Sequence, residues 1–313
     1  IFERNTGGSN NWGLVKKLAA SDGTTNDLLG GDVAISGDTI VLGAQGADIG
    51  ANNEQGAAYV FERNCGGSNN WGQVAKIAAT NGAAGDEFGL DVDIDKDHII
   101  VGTWLYNDGP GAAYIFERNT GGAESWGQVA RLTASDGVTG DNFGASVTIN
   151  GDFAAVGAPD TDIGGNTNQG SVYVFARNVG GAESWGQVKK ITAEDGRPFD
   201  SFGERFALSM DRSKIVAGAP DAGVGLNSGQ GAAYLFERNH GGMDNWGQVR
   251  KISAADGTGG DKFGCAVAIE GDILVAGASR ATIGSNARQG AAYLFSLDRK
   301  STRLTPVTSV NLV

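Results

Sequence analysis

One pattern limits what this chain can become: a segment ending in an aromatic-rich strand returns again and again in the same phase. The closing phenylalanines are Phe2, Phe61, Phe116, Phe175, Phe236 and Phe295, separated by 59, 55, 59, 61 and 59 residues. Trp12, Trp71, Trp126, Trp185 and Trp246 each open a W-G step. Phe88, Phe143, Phe202 and Phe263 each open an F-G step, with Leu29-Gly30 as a degenerate copy. Gly43, Gly157, Gly218 and Gly277 begin a G-A step, and Gly102-Thr103 departs from it. Self-similarity at a fixed period means stacked units, each unable to bury its own apolar faces alone.

Each period reads as four short strands without helical spacing. In the clearest copy these are Ala145–Ile149, Phe153–Gly157, Ser171–Phe175 and Trp185–Ile191. Asn150-Gly151-Asp152 supplies the tight turn between the first two, with glycine allowing the unusual φ. Four strands per repeat predict an all-β, five-bladed β-propeller, four antiparallel strands to a blade. The blades are expected at about 28–77, 87–132, 142–191, 201–252 and 262–295. The last copy has no W-G strand after Phe295, so the N-terminal segment 10–18 is expected to complete that blade and close the ring. Because Phe2 and Phe295 claim one repeat position, Ala291–Phe295 is expected to take it and Ile1–Arg4 to be displaced. The matching phase at both ends favours a complete small ring. Residues 296–313 form a tail outside the repeat.

Composition narrows the function. With 40% hydrophobic residues among 313, a sizeable core is available. The formal net charge of −12 lacks the basic footprint a nucleic-acid binder needs. It also disfavours an anionic membrane surface, and no apolar run is long enough to span a bilayer. The residues from Ile1 onward do not read as a signal peptide. Cys65 and Cys265 are too few for a disulfide framework, and their repeat positions lie too far apart to bridge.

The run Phe143-Gly144, Gly157-Ala158-Pro159, then Val172-Tyr173-Val174-Phe175 resembles the FG-GAP repeat, which builds the propeller of integrin α subunits and of many bacterial and algal surface proteins. The resemblance spans residues 1–295. It implies an extracellular or cell-surface location and a binding or adhesion role, with a glycan or a cell-surface protein as partner. Two departures matter. Integrin-like propellers have seven blades. The family's calcium loop also sits between the first and second strands, where this chain has only short turns such as Ser36-Gly37-Asp38. Those offer too few oxygens for calcium, so calcium is raised by the resemblance but not carried over, and no cofactor is assigned.

The loops joining the second strand to the third, and the fourth to the next first, are expected to share one polar face. Ligand-face candidates there are Trp104, Tyr106, Asp160, Asp162, Asn166, Asp221 and Asn227. Candidates for a metal are the recurrent acids Asp22, Asp27, Asp136, Asp141, Asp195, Asp200, Asp256 and Asp261, whose carboxylates suit a hard cation. The bland reading is that an Asp near Gly closes its own turn. Asp91, Asp93 and Asp95 share one strand face and are a weaker metal set. His98 and His240 have no partner nucleophile in sequence, and no P-loop, zinc pattern or G-x-S-x-G elbow occurs. The expected function is therefore a non-catalytic extracellular binding or adhesion module. Its alternatives are a polysaccharide-acting enzyme using loop-face carboxylates, and a structural unit of a surface assembly.

Overall fold

A computed structural model of the chain describes residues 1–104, 109–297 and 305–307. Among the described residues there are strands and turns but no α-helix. The strands form five four-stranded antiparallel sheets and one two-stranded sheet. The pair comprises β1 (Phe2–Arg4) and β2 (Trp12–Leu14). Sheet one follows as β3 (Val33–Ser36), β4 (Thr39–Ala44), β5 (Ala57–Glu62) and β6 (Gly72–Ile77). Sheet two is β7 (Val92–Asp95), β8 (His98–Thr103), β9 (Ala112–Arg118) and β10 (Trp126–Leu132). Sheet three is β11 (Ser146–Asn150), β12 (Phe153–Ala158), β13 (Ser171–Arg177) and β14 (Trp185–Ile191). Sheet four is β15 (Leu208–Asp211), β16 (Lys214–Ala219), β17 (Ala232–Glu237) and β18 (Gly247–Ile252). Sheet five is β19 (Phe263–Glu270), β20 (Ile273–Ala278), β21 (Ala291–Ser296) and β22 (Thr305–Val307).

Burial explains the strand order. β4 and β12 are apolar and hidden almost throughout, because a central strand in a stacked sheet meets protein on both faces. The fourth strands alternate Gln, Lys and Arg with apolar residues and form the half-wet outer edge. The first strands of all five sheets converge: Asp32, Asp91, Val147, Leu208 and Val267 line one cavity of about 260 Å3 on the axis. The arrangement is thus propeller-like.

Two glycine motifs explain how the sheets approach. A Cβ on Gly43, Gly102, Gly157 or Gly218 would lie 2.1, 2.1, 2.2 or 1.9 Å from the carbonyl oxygen of Gly89, Gly144, Gly203 or Gly264 in the following sheet. The G-A glycine of one repeat therefore touches the F-G glycine of the next, backbone against backbone, and only glycine fits. The adjoining phenylalanine is a wedge. Phe88, Phe143, Phe202 and Phe263 are fully buried and lie tilted or edge-on to a tyrosine and a phenylalanine of their own third strand, as Phe143 does to Tyr173 at 5.5 Å and Phe175 at 6.0 Å. Burying each is worth about 1.5–3 kcal/mol before ring-geometry gains.

The expected closure does not form. β2 does not enter sheet five; β22, from the tail, pairs with β21 instead. Nor is the N-terminal segment displaced: Phe2 pairs with Leu14 and Arg4 with Trp12. β1 and β2 thus hold third- and fourth-strand positions in a separate sheet whose Ile1, Val15 and Leu18 pack on the core of sheet one. Both claimants to the shared position are accommodated, one in each sheet. Among the described residues no strand of sheet five is hydrogen-bonded to a strand of sheet one, and no closed ring results. The physical reason is local: a strand hydrogen-bonded to its own sequence neighbour closes a small loop, at far less entropic cost than pairing with a strand some 280 residues away.

Candidate functional site

The loop face repeats one turn, D-G-x-x-x-D, five times with Asn81 replacing the first Asp once. Its second aspartate always points inward. Asp27, Asp86, Asp141, Asp200 and Asp261 are buried, and each accepts the backbone N–H three residues earlier at 2.7–2.9 Å. Burial pushes the carboxyls of Asp86, Asp141 and Asp200 above their ordinary range, with the backbone bond pulling the other way. The first aspartate is exposed and ties to a neighbouring sheet. Asp136 accepts from Tyr173 Oη and Lys190 Nζ, both at 2.8 Å. Asp195 accepts from Tyr234 at 2.9 Å and Lys251 at 2.6 Å, Asp22 from Lys76 at 2.8 Å, and Asp256 from Tyr293 at 3.1 Å. For Asp136 and Asp195 burial opposes ionisation, yet the lysine and tyrosine bonds outweigh it and hold the carboxyls below their usual range.

The other loop residues are similarly engaged. Asp160 accepts from Asn142 and from Asn168 Nδ2 at 2.7 Å, and Asp162 from the backbone of Asn168 at 2.9 Å. Asn166 and Asn227 donate to Gln169 and Gln230 at 2.8 and 2.9 Å, and to Gly196 and Gly257 carbonyls at 3.2 Å. Those glutamines, buried, bond on to the carbonyls of Ala193 and Ala254. Asp221 pairs with Lys262. Trp104 is half-buried, and Tyr106 lies outside the described residues. The eight candidate metal acids are thus distributed around the face, each on its own donor. Among the described residues no group of three His, Cys, Asp or Glu side chains is gathered for a metal ion.

The axis carries a polar device that strand alternation alone only hinted at. Alternate side chains of the first strand in sheets one to four accept backbone N–H groups from the first strand of the next sheet. Asp32 accepts from Val92 and Ser36 from Lys96. Asp91, Asp93 and Asp95 accept from Val147, Ile149 and Gly151. Thr148 and Asn150 accept from Met210 and Arg212, and Ser209 and Asp211 from Ile269 and Gly271. Neighbouring first strands stand too far apart for a backbone ladder, so short side chains bridge them. Asp91 and Asp93, the weaker metal set, belong here. Burial pushes Asp91 well above the ordinary carboxylate range, and the charge of Asp32 adds to it. Arg205 leans in from sheet four, donating to Gln45 at 2.7 Å and the Leu90 carbonyl at 3.2 Å. The two cysteines are free. His98 has a structural contact that sequence missed: it lies edge-on to Trp185 at 6.3 Å, as Phe153 does to Trp246 at 5.5 Å.

One loop residue breaks the pattern. The position before each inward aspartate has positive φ, and holds Asn26, Gly85, Gly140 and Gly260 in four repeats. The fifth has Phe199, at φ 65° and 63% exposed. Beside it Arg197 reaches over to Gly223, in the loop whose tip, Leu226, is wholly exposed. Asp221 and Asn227 flank that tip in sequence.

No curated protein matches the chain. Among solved structures, the periplasmic gluconolactonase PpgL of Pseudomonas aeruginosa superposes with a TM-score of 0.53 at 13% identity, over 88% of this chain and 70% of that one. KlAtg21, in its complex with the coiled coil of AgAtg16, gives 0.52 at 12% identity, over 89% and 69%. At such identities the likeness is one of fold alone. The family model described as FG-GAP repeat matches residues 12–61, 71–116, 126–175, 185–236 and 246–295. With the motif glycines and phenylalanines placed where sheets meet, the chain belongs to the FG-GAP repeat family.

Proposed function

We propose that this protein is a non-catalytic, extracellular binding module that holds a glycan or protein partner against its loop face, with Phe199 as the anchor. The carrying observation is Phe199 itself. A phenylalanine in the left-handed region costs roughly 1–2 kcal/mol, and exposing its ring to water gains nothing. Four sister repeats avoid both costs with Gly or Asn. An outlier of this kind points to function rather than folding, and exposed aromatics are the usual anchors of binding surfaces. Arg197 and Leu226 extend the surface. The enzymatic alternative has less support, because the loop-face carboxylates it would use are occupied as acceptors.

The test separates stability from binding. Phe199→Gly is expected to raise stability by about 1 kcal/mol, a shift of a few degrees in the thermal midpoint. The same substitution is expected to weaken retention on a glycan array or on cell-surface proteins at least tenfold. Retention equal to that of the parent sinks the proposal, as does an absence of retained partners for both proteins. Repeating the assay with a chelator reads out any calcium requirement.

A further inference from the structure

Five departures from the repeat fall together where the chain passes from sheet three to sheet four. The turn entering sheet four carries Arg197, Pro198 and Phe199, where the four sister turns hold only Thr, Ala, Val, Asn or Gly. The loop between β16 and β17 carries Gly223 and Leu226. The bridges Ile49↔Asn52, Ile163↔Asn166 and Val224↔Asn227 set its register against sheets one and three. There Asp48 and Asp162 stand in the place of Gly223, and the small residues Ala51 and Gly165 in the place of Leu226.

These changes alter the local charge. Asp48 and Asp162 accept the amides of Glu54 and Asn168, both at 2.9 Å. Gly223 has no carboxylate to offer, and the space is taken by Arg197, whose Nη1 lies 3.4 Å from where a Cβ on Gly223 would be. Among the described residues that guanidinium forms no ion pair, unlike those of Arg63, Arg118, Arg177 and Arg238. The acids around it are already engaged. Asp195 accepts from Lys251 and Tyr234, Asp221 pairs with Lys262, and Asp200 is buried against the Arg197 backbone. A chain of net charge −12 thus presents here an unmatched cation beside two exposed apolar side chains, Phe199 and Leu226. The turn that carries the first two is held firmly. Asp200 Oδ2 accepts the Arg197 N–H at 2.8 Å, the Phe199 N–H donates to the Thr167 carbonyl at 2.8 Å, and Pro198 fixes φ between them. Such preorganisation lowers the entropy that a ligand must remove.

We propose that this joint binds a carboxylated sugar, a uronate unit of an acidic polysaccharide. The C–H face of the sugar ring lies on Phe199, its carboxylate meets the Arg197 fork, and Leu226 borders it. A guanidinium matches a carboxylate with two parallel donors, and an aromatic ring supplies apolar area of fixed shape. A protein partner fits less well, because stable protein interfaces bury about 800 Å2 on each side, far more than three side chains provide. The inference rests on the loop-face reading above and narrows it to one ligand class.

The test is calorimetric titration of the full chain with oligosaccharides of galacturonate, mannuronate and hyaluronate, each as the acid and as its methyl ester. At least one acid is expected to bind with a dissociation constant below about 1 mM. Its ester, which keeps the ring and loses the charge, is expected to bind at least about tenfold more weakly. Arg197→Gln is expected to weaken the acid by the same factor and to leave the ester unchanged. Gly223→Asp sets a sister's carboxylate beside Arg197, where its Cβ meets only that side chain at 3.4 Å and the Asn227 carbonyl at 3.9 Å; it is expected to weaken the acid several-fold. Circular dichroism checks the folding of both variants, and the contrast of acid with ester on the parent protein stands without them. Failure of every acid to bind overturns the inference, and so does equal binding of acid and ester. Equal binding that Phe199→Gly weakens leaves the loop-face reading standing, as does Phe199-dependent retention of a neutral glycan or a protein when no acid binds. Equal binding indifferent to Phe199→Gly ends both.

Discussion

Asp91 shows how much depends on one side chain when water is excluded. It is buried and accepts the Val147 amide at 2.7 Å, and burial together with Asp32 holds its proton. The folded protein therefore keeps that proton to higher pH than the unfolded chain does. As pH rises from the ordinary carboxylate value through the folded one, the unfolded chain releases its proton first and stability falls, by about 1.4 kcal/mol for each pH unit that separates the two values. Asparagine keeps an acceptor for Val147 and cannot ionise. Asp91→Asn is thus expected to lose less stability than the parent over that window and to exceed it near neutral pH. Urea unfolding of both proteins between pH 4 and 8 reads this out, and parallel curves would refute it. The loop aspartates behave oppositely where lysine holds them: Asp136 and Asp195 are lowered, so their contribution is present above the ordinary carboxylate value and lost as pH falls through the folded one.

At the scale of the element, the joint between sheets is the repeated unit of stability. Each joint combines a glycine pair in backbone contact, a buried phenylalanine and side-chain acceptors for the next first strand. Gly157 and Gly277 occupy one repeat position but not one environment. A Cβ on Gly157 would lie 2.2 Å from the Gly203 carbonyl, whereas the nearest atom to one on Gly277 is 3.7 Å away, since no described sheet follows. Gly157→Ala is expected to cost about 2–3 kcal/mol through overpacking, and Gly277→Ala to stay within about 0.5 kcal/mol. Equal midpoints in chemical denaturation for the two variants would contradict the joint as drawn. Trp12 and Trp71 make the same contrast, 68% exposed against 1%, because only Trp71 has a core ahead of it to pack against.

The whole molecule is an arc of sheets around an axis, and its ends differ from its middle. Stability in such arrays is a sum of unit and neighbour terms. Sheet three has a complete neighbour on both sides, and sheet five on one. Its outward residues Ala292 and Leu294 are accordingly more exposed than Ala113 and Ile115, their counterparts in sheet two. Hydrogen exchange is expected to protect amides of β12 longer than those of β20 and β21. Uniform exchange across the sheets would show that neighbour terms do not dominate.

Much of this was legible in the residues. The 59-residue phase, the W-G and F-G steps and the G-A glycines determined five four-stranded units, and the strand predicted over Trp185–Ile191 is the one observed. These signals are local and periodic, so they survive in a single sequence. The turn role of the loop aspartates was legible for the same reason, since an Asx contact spans three residues. What tertiary structure alone decided is long-range. That Asp91, Asp93 and Asp95 bridge to another sheet rather than gather a cation depends on a strand 56 residues away. Phe199 became conspicuous only when its φ and exposure could be set against its four sister positions. The closure expected from matching ends failed because phase states which strand a segment resembles, while pairing is settled by which partner is nearest and already folded.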